Sequence, residues 1–292
     1  MNQMKNHDQN FSPAVLVPFD HPLTYPNPME TVPMTQPNVK YLEVGTPADE
    51  RRIAVRHLPG NEPGLVWLGG YRSDMLGTKA VALETWAKET GHACCRHDYS
   101  GHGESGGDFM KGTISRWLEE SIAVFDAFCA QGRHVLVGSS MGGWVALRMV
   151  QELAKRGESN RIKALLLLAP APDFTYELME PGLSDAHREQ LEKRGYMEEH
   201  SEYSDDPNIF TKALFDDGEA SRVMTGPIET GCPVHILQGM KDPDVPYEHA
   251  MKLVEFLPQE EVSMTLIKDG DHRLSRDQDI ALLLRTVQTL VA

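Results

Sequence analysis

Val135-Leu-Val-Gly138-Ser139-Ser140-Met141-Gly142-Gly143 decides the fold. An apolar run of strand character ends at Gly138, a Gly-x-Ser-x-Gly pattern follows, and Met141 to Lys155 continues as an amphipathic helix. The pattern alone arises by chance. Between a strand and a helix it describes a sharp turn that lifts the Ser140 hydroxyl above the end of a sheet. Such a turn strains its backbone, so the residues around the serine must be small, and Gly138 and Gly142 are. The helix that follows aims its first amides at the same place, where they can stabilise a negative oxygen. Ser139 is the neighbouring hydroxyl, but it would put the glycines at the wrong offsets. The competing reading of these residues is a glycine-rich turn without chemistry.

Outward from this turn, short apolar runs alternate with amphipathic stretches. Residues 41–44 and 52–58 read as two strands joined by a polar turn, and 64–68, 92–96, 134–137, 164–168, 234–237 and 262–267 as six more. Ala164 to Leu168 is a near-continuous aliphatic run, as in a strand buried on both faces. Helices are expected over 78–90, ending at Gly91, over 115–131 with a serine cap, and over 141–155, 246–257 and 277–291. Strands alternating with helices predict an α/β fold: a mostly parallel eight-stranded sheet with helices on both faces. About residues 172 to 231 break the rhythm and supply no strand signal. They read as a helical cap insertion over one end of the sheet, with helical pieces at 184–194 and 209–216; two ordinary crossover helices are the alternative.

A serine hydroxyl needs a base, and the base needs an orienting acid. In a strand-turn-helix serine site the chain order is Ser, Asp or Glu, then His. The strand 234–237 runs into Gln238-Gly-Met-Lys-Asp242-Pro-Asp244-Val-Pro246, and 262–267 runs into Lys268-Asp-Gly-Asp-His272. His272 follows a strand, whereas His249 falls inside a helix. Asp242 and Asp244 compete for the acid; motif offset favours Asp242, and Asp244 suits a cap for the helix beginning near Pro246. The oxyanion needs two amides: that of Met141, and one from the loop after the third strand, Gly69-Gly70-Tyr71, where Tyr71 is the choice. Trp86, Trp144, Met179 and Met197 are candidates for an acyl pocket or for ordinary core.

The remainder of the chain sets bounds. Residues 1–38 carry Pro13, Pro18, Pro22, Pro26, Pro28, Pro33 and Pro37 and predict an extended arm before a domain spanning 39–292. A formal net charge of -15 argues against nucleic acid as a partner, because phosphate backbones are repelled. Cys94, Cys95, Cys129 and Cys232 show no metal-ligand spacing and suit buried free thiols in a reducing compartment. No apolar run reaches transmembrane length and the first ten residues lack a secretion signal, so the cytoplasm is the expected location. Composition does not set the oligomeric state.

Five segments together resemble a known family. They are Gly70-Tyr-Arg-Ser-Asp-Met-Leu-Gly-Thr-Lys-Ala80, His97-Asp-Tyr-Ser-Gly-His-Gly-Glu-Ser105, Gly138-Ser-Ser-Met-Gly-Gly-Trp144, Gly239-Met-Lys-Asp-Pro-Asp-Val-Pro246 and Asp271-His-Arg273. The chain resembles the α/β-hydrolase-domain (ABHD) proteins, in the branch of acyl-protein thioesterases and their bacterial relatives, over about residues 40 to 290 and least in the insertion. The resemblance implies the α/β-hydrolase fold and a Ser140–Asp242–His272 triad. It also implies hydrolysis of acyl thioesters on protein cysteines and of acyl esters, acyl glucuronides included. That chemistry needs no metal or organic cofactor. A small-molecule carboxylesterase, a carbon–carbon bond hydrolase and a binding protein on an inactive hydrolase fold are the rivals. Dehalogenase and epoxide hydrolase chemistry needs an aspartate where Ser140 stands.

Overall fold

The apolar runs of the sequence become the middle of a sheet. The strands are β1 (Lys40–Val44), β2 (Arg51–Leu58), β3 (Asn61–Leu68), β4 (His92–His97), β5 (His134–Ser139), β6 (Ile162–Leu168), β7 (Tyr196–Glu199), β8 (Asn208–Thr211), β9 (Val234–Gly239) and β10 (Val262–Ile267). The α-helices are α1 (Thr78–Thr90), α2 (Ile114–Phe128), α3 (Met141–Lys155), α4 (Asp185–Arg194), α5 (Lys212–Ala220), α6 (Tyr247–Glu255) and α7 (Asp277–Val291). This computed structural model describes residues 38–200, 207–257 and 261–292. The proline-rich arm expected over 1–38 therefore lies, but for its last residue, outside the described residues.

Eight strands form one sheet in the order β1-β2-β4-β3-β5-β6-β9-β10. β1 and β2 pair antiparallel, as do β2 and β4; every later pairing is parallel. Ala164 to Leu168 in β6 are all buried, as the aliphatic run predicts of a strand covered on both faces, and so are all six residues of β5. One face packs under α2, α3 and α6 through residues such as Phe125, Trp144, Val150 and Leu253, and the other under α1 and α7 through Leu83, Ala87, Leu283 and Val287. Adjacent residues of a strand point to opposite faces, and Cys94 and Cys95 do: Cys94 joins the α1–α7 core and Cys95 the α2–α3 core. All four cysteines are free and buried.

The register places the chemistry. Leu68 pairs with Gly138, Ser139 with Leu168, Leu168 with Leu237, and Gly239 with Ile267. The carboxyl ends of β3, β5, β6, β9 and β10 are thus level, and the segments after them emerge at one edge. In an open parallel sheet that edge is where ligands bind. Residues 71, 140, 242 and 272 all follow these strand ends.

Three expectations need correction. The second long helix begins at Ile114 behind Thr113, whose side chain accepts the Arg116 amide, and Ser115 is not its cap; the helix stops at Phe128. Threonine and serine both cap well, and the spacing of the apolar stripe does not separate them. Asp244 does not cap α6, whose first turn follows Pro246 with no side-chain cap bond. The insertion is not wholly helical: β7 and β8 pair antiparallel, Met197 opposite Phe210. Ile209 to Thr211, read as helical, is strand, and Thr211 caps α5 through the Leu214 amide. Four-residue strands carry too little alternation to register as a period.

His97 makes part of this fold acid-sensitive. It is 2% exposed, and burial pushes its imidazole down to about 4 from the ordinary 6.5. Between those values the unfolded chain binds more protons, so this group's contribution is full above pH 6.5 and is lost as pH falls toward 4. Asp98, pushed up to about 6 by burial, acts in the opposite sense, so total stability does not isolate either group. The stability gap between wild type and His97→Gln, measured by urea titration, should narrow by up to about 3 kcal/mol from pH 7 to pH 4. A gap independent of pH would contradict this.

Candidate active site

Ser140 sits at the turn from β5 to α3 with φ 54° and ψ -120°, a conformation that L-residues rarely adopt. Close packing holds it there. A Cβ on Gly138 would lie 2.4 Å from the Gly142 carbonyl oxygen, and one on Gly142 would lie 2.1 Å from that of Leu68. Both positions therefore require glycine, as the motif implies. The Ser140 amide donates to Leu168 O at 2.9 Å, and Ser140 O accepts from Gly143 at 2.9 Å and Ala171 at 3.1 Å. These bonds offset the strain, which for such a backbone is of order 1–3 kcal/mol.

The loops after β9 and β10 bring two partners to the hydroxyl. His272 Nε2 lies 3.1 Å from Ser140 Oγ, and His272 Nδ1 lies 2.8 Å from Asp242 Oδ2. A carboxylate facing Nδ1 selects the tautomer protonated there, leaving Nε2 as an acceptor for the serine hydroxyl. The Asp242 carboxylate is fully buried and immobilised. Its Oδ1 accepts the amides of Asp244 at 2.9 Å and Val245 at 2.8 Å, and Gln238 Nε2 reaches Oδ2 at 3.3 Å. Asp244 is exposed. Polar atoms of Asp242, Asp244 and His272 lie within 4.8 Å of one another, the one such cluster among the described residues. Two of its three members already form the hydrogen-bond chain to Ser140, so a cation there would compete with that chain. Lys79, in the first turn of α1, donates to the carbonyl of Arg273 and ties the His272 loop to the domain. The lysine belongs to one of the five family-like segments, but nothing in the sequence linked it to residue 273.

Met141 is the first residue of α3, where amides have no intrahelical acceptor. Gly69 and Gly70 carry the chain from β3 past Ser140: a Cβ on Gly70 would lie 3.3 Å from Ser140 Cβ. The next residue is Tyr71. Among the described residues, neither the Tyr71 nor the Met141 amide has a protein acceptor. The Tyr71 side chain does something the sequence did not announce. Its hydroxyl donates to Ile209 O in β8, and its ring stacks on Phe210 at 5.0 Å and 10°. The amide loop is therefore fastened to the insertion.

Between that loop and the insertion lies a cavity of about 510 Å³, open to Ser140 and His272. Phe174, Leu178, Met179, Leu183, Met197 and Phe210 give it apolar walls, and His187, Glu199, His200 and Asn208 add a polar sector. Of the four pocket candidates, Met179 and Met197 line it. Trp144 is core, its indole donating to Ser221 O at 3.1 Å, and Trp86 stacks on His92 at 5.3 Å. Phe174 falls in no periodic run, and Phe210 lies in a stretch that reads as helix but is strand, so the sequence marks neither for the cavity.

Residues 58–284 match the model of the alpha/beta hydrolase family. The chain belongs to this family. Among α/β hydrolases it is 34% identical over 244 residues to the human mitochondrial palmitoyl-protein thioesterase ABHD10, covering 83% of this chain and 78% of that protein. A putative hydrolase from Agrobacterium vitis S4 is 54% identical and superposes with a TM-score of 0.85, covering 87% of this chain and 99% of its own. The mouse α/β hydrolase domain-containing protein 10 superposes at 0.75 with 31% identity, covering 87% and 98%.

Proposed function

We propose that this α/β hydrolase cleaves acyl esters and thioesters through an acyl-enzyme intermediate on Ser140. The observation that carries the reading is the unbroken hydrogen-bond chain Ser140–His272–Asp242, whose serine and histidine line a cavity with apolar walls and a polar sector. His272 Nε2 takes the Ser140 proton as Oγ attacks the acyl carbonyl. Asp242 holds the imidazole and stabilises its charged form. The amides of Met141 and Tyr71 receive the oxyanion. The imidazolium then gives its proton to the departing alcohol or thiol, and a water activated by His272 releases the acid. A non-catalytic binding role would not need this tautomer-selecting geometry. The likeness to a palmitoyl-protein thioesterase supports thioesters and long acyl chains; the polar sector of the cavity suits a small-molecule ester with a polar head.

Chain-length panels of p-nitrophenyl esters and acyl thioesters test both readings. Each methylene that enters the apolar walls should raise kcat/KM by roughly fourfold until the cavity is full, since burial of one contributes about 0.8 kcal/mol. Met179→Trp should move that optimum to shorter chains. Flat or falling rates from acetyl upward, unchanged by Met179→Trp, would remove the acyl-chain role of the cavity and leave the short-chain esterase.

A further inference from the structure

The loop that carries the Tyr71 amide is held from beneath by the end of β4 and the residues after it. Met75 is gripped on both sides: its amide donates to Asp98 Oδ1 at 2.6 Å, and its carbonyl accepts from the buried Arg96 guanidinium. Nearer the reacting atoms the same side of the loop is gripped again. The Arg72 amide donates to His102 Nε2 at 3.1 Å, and His102 Nδ1 faces Ser100 O at 3.1 Å. A ring nitrogen that accepts an amide is bare, so the proton sits on Nδ1 and is donated to Ser100 O. Both ring nitrogens are thereby committed. His102 is 4% exposed and packed among the rings of Tyr71, Tyr99, Phe109 and Trp117. It does not line the cavity, and the triad does not use it.

The geometry points to His102 as the positioning residue of the oxyanion amide at Tyr71, a role that rests on the reading of Tyr71 as oxyanion donor. The Arg72 N–H belongs to the Tyr71–Arg72 peptide. Fixing that plane restrains Tyr71 ψ and Arg72 φ and so holds the Tyr71 Cα, the pivot about which the preceding Gly70–Tyr71 amide turns. Arg72 has φ 55°, in the left-handed region, a conformation that persists only where contacts hold it; the His102 bond holds its main chain, beside the guanidinium bonds to Pro207 O and Asn208 Oδ1. Burial pushes the His102 imidazole down to about 4, which keeps Nε2 an acceptor at neutral pH. The Gly-His-Gly segment at 101–103, idle in the mechanism, thus acquires a function. A preorganised donor contributes chiefly in the transition state, so its loosening lowers kcat and leaves KM nearly unchanged.

The test compares His102→Phe, His102→Gln and His102→Asn with wild type and Ser140→Ala. The readouts are kcat and KM on one p-nitrophenyl ester, the Ki of an alkylboronic acid, and the thermal midpoint. A boronic acid adduct on serine is tetrahedral and carries the oxyanion, so it reports the amide directly. Phe keeps the ring and removes the acceptor; Gln places an oxygen near the Nε2 position; Asn does not reach it. The expected result is kcat lower by about 30- to 100-fold in His102→Phe with KM within about threefold, and boronate affinity weakened by a similar factor. His102→Gln should recover most of both and His102→Asn little; if His102→Phe fails to fold, that pair carries the test. Loss of kcat without loss of boronate affinity, or Gln no better than Asn at equal thermal midpoints, overturns the role. Wild type with turnover that survives Ser140→Ala overturns instead the reading of the site, and the role of His102 falls with it.

Discussion

Ser140→Ala is expected to lower kcat on any ester or thioester substrate by about 10⁴-fold or more, while the protein stays folded. The substitution removes one atom, the hydroxyl oxygen, and with it the hydrogen bond to His272 Nε2. The bonds that hold the turn, to Leu168, Gly143 and Ala171, are all main chain and remain. Alanine keeps the Cβ, so the strain at φ 54° is retained and the thermal midpoint should shift by only a few degrees. The residual rate measures what the cavity and the two amides achieve without a nucleophile. A variant retaining a tenth of wild-type kcat, in protein free of wild-type contamination, would place the nucleophile elsewhere.

Asp242→Asn is expected to cost about 10³- to 10⁴-fold in kcat. The isostere fits the site, but its two ends differ chemically. Oδ1 accepts two amides, from Asp244 and Val245, and only an oxygen can do that. The asparagine must then turn its NH₂ toward His272 Nδ1, where it donates. That favours the tautomer protonated on Nε2, which cannot take the serine proton. Asp244→Asn is the matched control. It is exposed, close to His272 and the rival of Asp242 on sequence. It should stay within about threefold of wild type, as expected for a solvent-screened charge. The two asparagine variants, assayed for kcat against pH, separate the two carboxylates; the reverse ranking would exchange their roles.

How much of this was legible in the chain depends on how local each determinant is. The turn at Ser140 is local, since one strand, two close-packed glycines and one helix specify it within about twenty residues. His272 follows from order along the chain, because level strand ends bring the segments after β5, β9 and β10 to one edge. Asp242 and Asp244 lie two residues apart in a loop, where no periodicity aims a side chain; backbone bonds to Oδ1 hold Asp242 with its Oδ2 2.8 Å from His272 Nδ1, and no local pattern announces them. The cap strands β7 and β8 have four residues each, too few for their alternation to register, so the pairing of Met197 with Phe210 leaves no signal in the sequence. The grip of His102 on Arg72 and the reach of Tyr71 to Ile209 are contacts between distant segments, 30 and 138 residues apart. A polar residue bound to a remote backbone group leaves no pattern in its own neighbourhood.

The most direct measurement is intact-protein and peptide mass spectrometry of the enzyme quenched during turnover of an acyl ester with a fast leaving group. A covalent acyl increment on the peptide containing Ser140, formed at the rate of the burst and absent from Ser140→Ala, is the predicted result. Turnover without an adduct under single-turnover sampling, or an adduct on another residue with Ser140 unmodified, would contradict the acyl-enzyme mechanism on Ser140.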